Sequence, residues 1–179
     1  DLKRNMWVNT GEIPGNKIDD DNNGYVDDIH GYNFVWDRGE LKGEDHGTHV
    51  AGTIAADTNN GIGVAGVAGG TGKGDGVRIM SCAILSWGIG GLEESYVYAA
   101  DNGAVISNNS WGLHVNSSED KVTATKAGID YFIANAGGTD KAMNGGLVVF
   151  AAGNDNIEYN DSFPDAYEPV FHVASTDNK

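Results

Sequence analysis

The sequence predicts an α/β fold of three layers, a mostly parallel sheet with helices on both faces. Three observations carry that expectation. From residue 46 onward, short β-rich apolar runs alternate with segments whose apolar residues recur at helical spacing, the pattern of βαβ units. The runs are apolar along most of their length, as strands covered on both faces are. The polar, glycine-bearing motifs fall where those runs end, and open parallel sheets gather ligands beyond the carboxyl ends of their strands.

Taken in order, residues 1–45 are rich in Asp, Asn and Gly and carry little periodicity. They read as loop, with short extended pieces near "MWV" and "GYNFVW". "HGTHVAGTIAAD" (46–57) places Val50, Ile54 and its alanines at helical spacing, which predicts a buried helix that tolerates its glycines by packing closely. After a Gly-rich stretch, "VRIMSCAIL" (77–85) reads as a strand. "EESYVYAADNG" (93–103) reads as a helix stopped by Asn-Gly, and "AVISNNSWG" as the next strand. "EDKVTATKAGIDYFIANA" (119–136) is helical, "GLVVFAAGN" is a strand running into a turn, and "PVFHVAS" is a last strand. No internal repeat is visible, and 179 residues suit one domain able to bury a core without staples.

Composition narrows the function classes. With 26 acidic residues against 11 Lys and Arg, the formal charge is −15, which repels nucleic acid phosphates and anionic membrane surfaces. Neither nucleic acid nor membrane is an expected partner, and no apolar run approaches the roughly 20 residues needed to span a bilayer. The single cysteine, Cys82, excludes an intramolecular disulfide and sits among apolar neighbours, as a buried strand residue would. The chain begins "DLKRNMWVNTG" and ends "VFHVASTDNK", both abruptly, so it reads as a piece of a longer polypeptide. Exposed sheet edges and apolar helix faces would then favour self-association of the piece.

"HGTHVAGT", "VISNNSWG" and "VVFAAGN", in that order and in that strand and helix context, resemble the subtilisin-like serine proteases, the subtilases, over nearly the whole chain. The resemblance implies a subtilisin-like fold, a polypeptide substrate and a secreted endopeptidase. It makes His46 the general base and Asn154 the side-chain donor to the oxyanion; a turn role for Asn154 is the plainer alternative. His49, one turn on, is expected to be a hydrogen-bonded structural residue, since no HExxH pattern supports metal binding. Ser110 is not the nucleophile, because the family carries that serine in a Gly-Thr-Ser-Met pattern beyond the last strand here. Ser110, Trp111 and Gly112 instead match the segment that pairs with extended substrate. Gly88, Gly90 and Gly91 match the opposing edge, with a plain loop as the alternative. The family's catalytic Asp precedes a His-Pro-Asp-Leu run whose last two residues match Asp1 and Leu2. The triad's Asp and Ser are thus absent from the sequence, and the piece alone is expected to be inactive. Asp45 cannot replace the Asp, since a backbone neighbour seldom reaches the outward imidazole nitrogen.

Two calcium sites are expected. "DDDNNGYVDD" sets Asp19, Asp21, Asn23, Gly24, the Tyr25 carbonyl and Asp27 at positions 1, 3, 5, 6, 7 and 9 of an EF-hand-type loop. Position 12 is His30 rather than Glu, so Asp28 would have to bend in to close the shell. All-oxygen ligands favour calcium over zinc; a solvated acidic loop is the alternative. The second site is implied by the resemblance: Asp1, Asn60 and the carbonyls of Thr58, Ile62 and Val64. "FPDAYEPV" resembles a family segment with a weak carbonyl cation site, and Phe163–Pro164 is a candidate cis bond. Two further readings stand beside the enzyme: a calcium-binding module that grips peptide without cutting it, and a degenerate relative lacking the triad.

Overall fold

The computed structural model describes residues 1–85, 88–112, 118–138, 142–154, 163–164 and 166–176. The chain gathers into two compact units, Asp1–Gly90 and Gly91–Lys179. Among the described residues every strand pairing within the sheets is parallel, as the alternation of elements predicts.

In the first unit, β1 (Gly31–Asn33) pairs with β2 (Ser81–Ala83), and α1 (Asp45–Ala55) lies between them in sequence. Gly31 is required where it stands, with φ at +121° and a hypothetical Cβ only 2.0 Å from the Ser81 carbonyl oxygen. Tyr25, Tyr32 and Phe34 form an edge-to-face group, the Tyr25 and Tyr32 rings 4.9 Å apart. Cys82 lies in β2 as expected, and although the residue is only half-buried, desolvation pushes its thiol up to about 12. The thiol is therefore inert at neutral pH.

Helix α1 ends through a complete set of partners for its last carbonyls. Val67 N–H donates to Thr53 O (2.9 Å), Ala68 N–H to Ile54 O (2.8 Å) and Gly66 N–H to Ala56 O (2.9 Å). The Asn5 amide takes the Ala55 carbonyl at 2.9 Å, so the orphan acceptors of the last turn are satisfied by a returning loop and one side chain. The expected close packing around the helix glycines is not found. A Cβ on Gly47 or Gly52 would meet nothing within 4 Å, and within α1 only Ala55 is buried. Val50 and Ile54 are half-covered, so the apolar stripe is too narrow to bury the helix.

The second unit holds β3 (Ile106–Asn109), β4 (Leu147–Ala151) and β5 (Phe171–Val173) in that spatial order, with α2 (Leu92–Asp101) and α3 (Glu119–Asn135). Helix α2 stops where Asn-Gly predicts, at a left-handed Gly103 with φ +84°. Ser118 caps α3, its side chain accepting from the Lys121 amide. The helices approach closely at Gly128, where a Cβ would lie 2.7 Å from the Glu93 carbonyl. Tyr96 and Ala100 from α2, Ile129 and Phe132 from α3, and Val148 and Phe150 from β4 make the apolar core. On β4 the alternating Leu147 and Val149 are half-buried, and on the flanking strands Ile106, Phe171 and Val173 are exposed.

Candidate active site and cation sites

His46 stands in the first turn of α1, exposed, directly after Asp45. His49 is also exposed, and among the described residues no hydrogen bond reaches its ring; the expectation of a hydrogen-bonded structural histidine is corrected. Its carbonyl, not its imidazole, is engaged, accepting from Thr53 Oγ1 at 3.0 Å. One turn of a half-covered helix leaves that side chain in solvent.

Ser110, Trp111 and Gly112 follow β3 at its carboxyl end. A residue that the sequence reading missed holds Trp111. Buried Asn109 accepts at Oδ1 from Tyr96 Oη (2.9 Å) and from Trp111 Nε1 (3.2 Å), and donates from Nδ2 to Val149 O (3.2 Å). Trp111 lies edge-on to Phe150 at 5.3 Å. Ser110 Oγ accepts from the Asn108 amide at 3.1 Å, and Gly112 faces open space. The available signal was an asparagine at the last position of the strand, directly before the Ser-Trp-Gly motif; once buried there it must find several partners at once.

Asn154 follows β4. The left-handed position of that turn is Gly153, with φ +82°, so the turn itself makes no demand for Asn154. β3 and β4 are parallel neighbours with Asn109 opposite Phe150, so the Ser110–Gly112 and Ala152–Asn154 stretches leave the sheet at the same end. The three glycines separate by cause. Gly90 sits where a Cβ would come 2.9 Å from the Phe34 carbonyl, Gly91 takes φ +58° as the residue before α2, and Gly88 has only ordinary contact with Val35.

In the acidic loop two residues that the sequence nominates, Asp21 and Asp28, gather with one that it does not, Glu12. Glu12, Asp21 and Asp28 each bring a carboxylate oxygen within 4.8 Å of the others. Glu12 was not foreseen, since it precedes the loop and belongs to no periodic pattern; it is buried, accepting from the amides of Asp20 (2.7 Å) and Asp27 (3.0 Å). Asp28, fully buried, accepts from Asn9 Nδ2 (2.8 Å) and Asn23 Nδ2 (3.2 Å). Asn9 Nδ2 also donates to Asp21 Oδ2 at 2.9 Å. Asp19 instead accepts from the amides of Asn23 and Gly24, and Asn23 Oδ1 accepts from the Tyr25 amide. Asp27, at φ +54°, accepts from the amides of Gly15 (2.7 Å) and Lys17 (3.0 Å). His30 turns to the Trp7 carbonyl, its Nδ1 2.7 Å away. Three clustered carboxylates with hard oxygen donors fit a divalent cation such as calcium.

At the second predicted site Asp1 Oδ1 accepts from Asn60 Nδ2 (2.8 Å) and Oδ2 from Val64 N–H (3.0 Å), while Asn60 Oδ1 accepts from Ile62 N–H (2.9 Å). The Thr58 carbonyl borders Gly72, where a Cβ would be 2.5 Å away. Phe163–Pro164 is cis; Asp165 of that segment lies outside the described residues.

A histidine in the first turn of a helix in one unit, and motif segments leaving one end of a parallel sheet in the other, are the features on which the resemblance to the subtilases rests. The subtilase family model matches residues 1–179, and the chain belongs to that family. It is similar to the thermophilic serine proteinase of Bacillus sp. (strain AK1), 34% identical over 83% of this chain and 33% of that protein. The extracellular basic protease of Dichelobacter nodosus is 35% identical over 75% of this chain and 21% of its own length. Subtilisin-like protease 1 of Plasmodium vivax is 52% identical over 38% of this chain and 11% of its own length. The chain thus spans between about a tenth and a third of the length of these relatives.

Proposed function

We propose that residues 1–179 are part of the catalytic domain of a secreted, calcium-stabilised serine endopeptidase. His46 is the general base, and Asn154 is the oxyanion donor. In this reading His46 takes the proton of a serine hydroxyl as it attacks the scissile carbonyl, then returns it to the leaving amine. Asn154 Nδ2 donates to the oxygen that becomes negative, an interaction whose loss costs about 10²–10³ in turnover in a member of this family. The main chain at Ser110–Gly112 pairs with extended polypeptide, and so does the main chain at Gly88, Gly90 and Gly91. The triad's Asp and Ser belong to parts of the polypeptide other than residues 1–179, so these residues alone do not turn over substrate.

The observation that carries this reading is the shared exit of the Ser110–Gly112 and Ala152–Asn154 stretches from adjacent parallel strands. That geometry suits an acyl group held on one side by main chain and on the other by an amide donor. Labelling a longer chain with a serine-directed fluorophosphonate tests it: His46→Ala should abolish labelling, and undiminished label would refute His46 as base.

The same reading places calcium at Glu12, Asp21 and Asp28, and a second ion at Asp1 and Asn60 with the carbonyls of Thr58, Ile62 and Val64. A bound ion would supply the positive charge that lets these carboxylates lie together. The exposed Ile106, Phe171 and Val173 support self-association of the 179-residue piece, which sedimentation would read as a mass above the monomer's.

A further inference from the structure

We propose that the segment Asp1–Asn9 couples the two cation sites, so that calcium bound at one strengthens binding at the other. This rests on the two-site reading above and adds their regulation. The segment has one end in each site. The Asp1 carboxylate meets Asn60 and the Val64 amide, and the Asn9 amide bridges Asp21 and Asp28.

Between the ends the segment docks through a small set of bonds that form or fail together. Asn5, with 0% exposure, donates to Ala55 O (2.9 Å) and Gly69 O (3.0 Å) and accepts from Arg78 Nη1 (3.0 Å). Its main-chain oxygen accepts from Ile79 N–H (2.8 Å), and Trp7 N–H donates to Ile79 O (2.9 Å). Near one end Asp57 N–H donates to Asp1 O (3.0 Å), and near the other Asn9 N–H donates to Ile29 O (2.9 Å). Arg4 adds an ion pair to Asp57 at 3.3 Å. Undocking Asn5 would strand two carbonyls at once, so partial release is disfavoured and the segment behaves as one docked or undocked element.

An ion that holds Asp1 therefore prepays the ordering of Asn9, and the reverse. Direct repulsion between two bound cations acts in the opposite sense, so positive coupling is diagnostic of the segment. The consequence is a chain that passes from unloaded to doubly loaded over a narrow calcium range.

Calorimetric titration of calcium into the chelator-treated 179-residue chain tests this, with Asp1→Asn and Asp21→Asn each leaving one site. Coupling is reciprocal, so each variant should bind its remaining ion weaker than wild type by the same factor, at least about fivefold. Asp75→Asn, which removes an exposed carboxylate of the same unit outside the segment, should leave both affinities unchanged. A wild-type isotherm equal to the sum of the two single-site isotherms would overturn the coupling and leave the two sites standing. A wild-type chain that takes up no calcium would overturn the sites themselves and the coupling with them.

Discussion

The two units of this chain weight apolar and polar burial differently. Residues 91–179 are organised around Ile129, Phe132, Val148 and Phe150, all at 0% exposure, with Tyr96 and Ala100 against them. Residues 1–90 bury Asn5, Asn9, Glu12, Asp28, Asn33 and Asp57, a set of polar side chains that lace loops together. An apolar core is stabilised in proportion to the area it removes from water, and it has no group that titrates and no ligand for a cation. A buried polar lattice is stabilised only when every partner is present. The first unit should therefore respond to solution conditions where the second does not.

The largest expected effect breaks the apolar side. Phe132→Ala should cost roughly 3–5 kcal/mol, read by urea unfolding, with loss of amide protection confined to residues 91–179. Asn5→Ala should cost about 2–3 kcal/mol by stranding the Ala55 and Gly69 carbonyls, and hydrogen exchange should show the loss in residues 1–90. Equal loss across both units would erase the contrast. Calcium at about a hundred times its dissociation constant should add about 2.7 kcal/mol to the first unit. Chelator should lower its melting transition alone, and no shift would count against the cation sites.

The smallest effects are pH-dependent and of opposite sign. In the first unit, hydrogen bonds from the Thr71 amide and hydroxyl hold the exposed Asp75 carboxyl below its ordinary 3.8. Folding favours that carboxylate, so its contribution is full above pH 3.8 and is lost as pH falls through the lowered value. In the second, desolvation and the hydrogen bond to Asp130 push Tyr167 up from 10.0 to about 12. Folding favours the protonated phenol, so its contribution is full below pH 10.0 and is lost as pH rises toward about 12. Tyr167→Phe should flatten the alkaline limb of a stability profile, and Asp75→Asn the acid limb.

The same contrast explains what the sequence reveals. Periodicity reports apolar burial, so α2, α3 and the three strands of the second unit are legible to within a few residues, down to the Gly103 stop. Long-range polar pairing leaves no periodic trace. Glu12 reaches the acidic loop from outside it, and Asn9 and Asn5 act on groups far along the chain, so none is visible beforehand. Asp28 was foreseen only as a substitute for the missing twelfth ligand. Helix α1 was legible as a helix, but its exposure depends on what covers Val50 and Ile54, which composition does not encode.

The loop after α1 has a consequence for survival among peptidases. A backbone is cut when a stretch can be drawn out straight into a foreign cleft, and glycine-rich surface loops are the usual victims. Between Thr58 and Arg78, however, tethers recur every few residues. Asn60 is tied to Asp1, Thr71 to Asp75, the Gly72 carbonyl to Arg4, and the Gly74 and Gly76 carbonyls to Arg78. No long run is left slack enough to be straightened without breaking a tether. The loop should thereby be a poor substrate for any peptidase that needs an extended backbone.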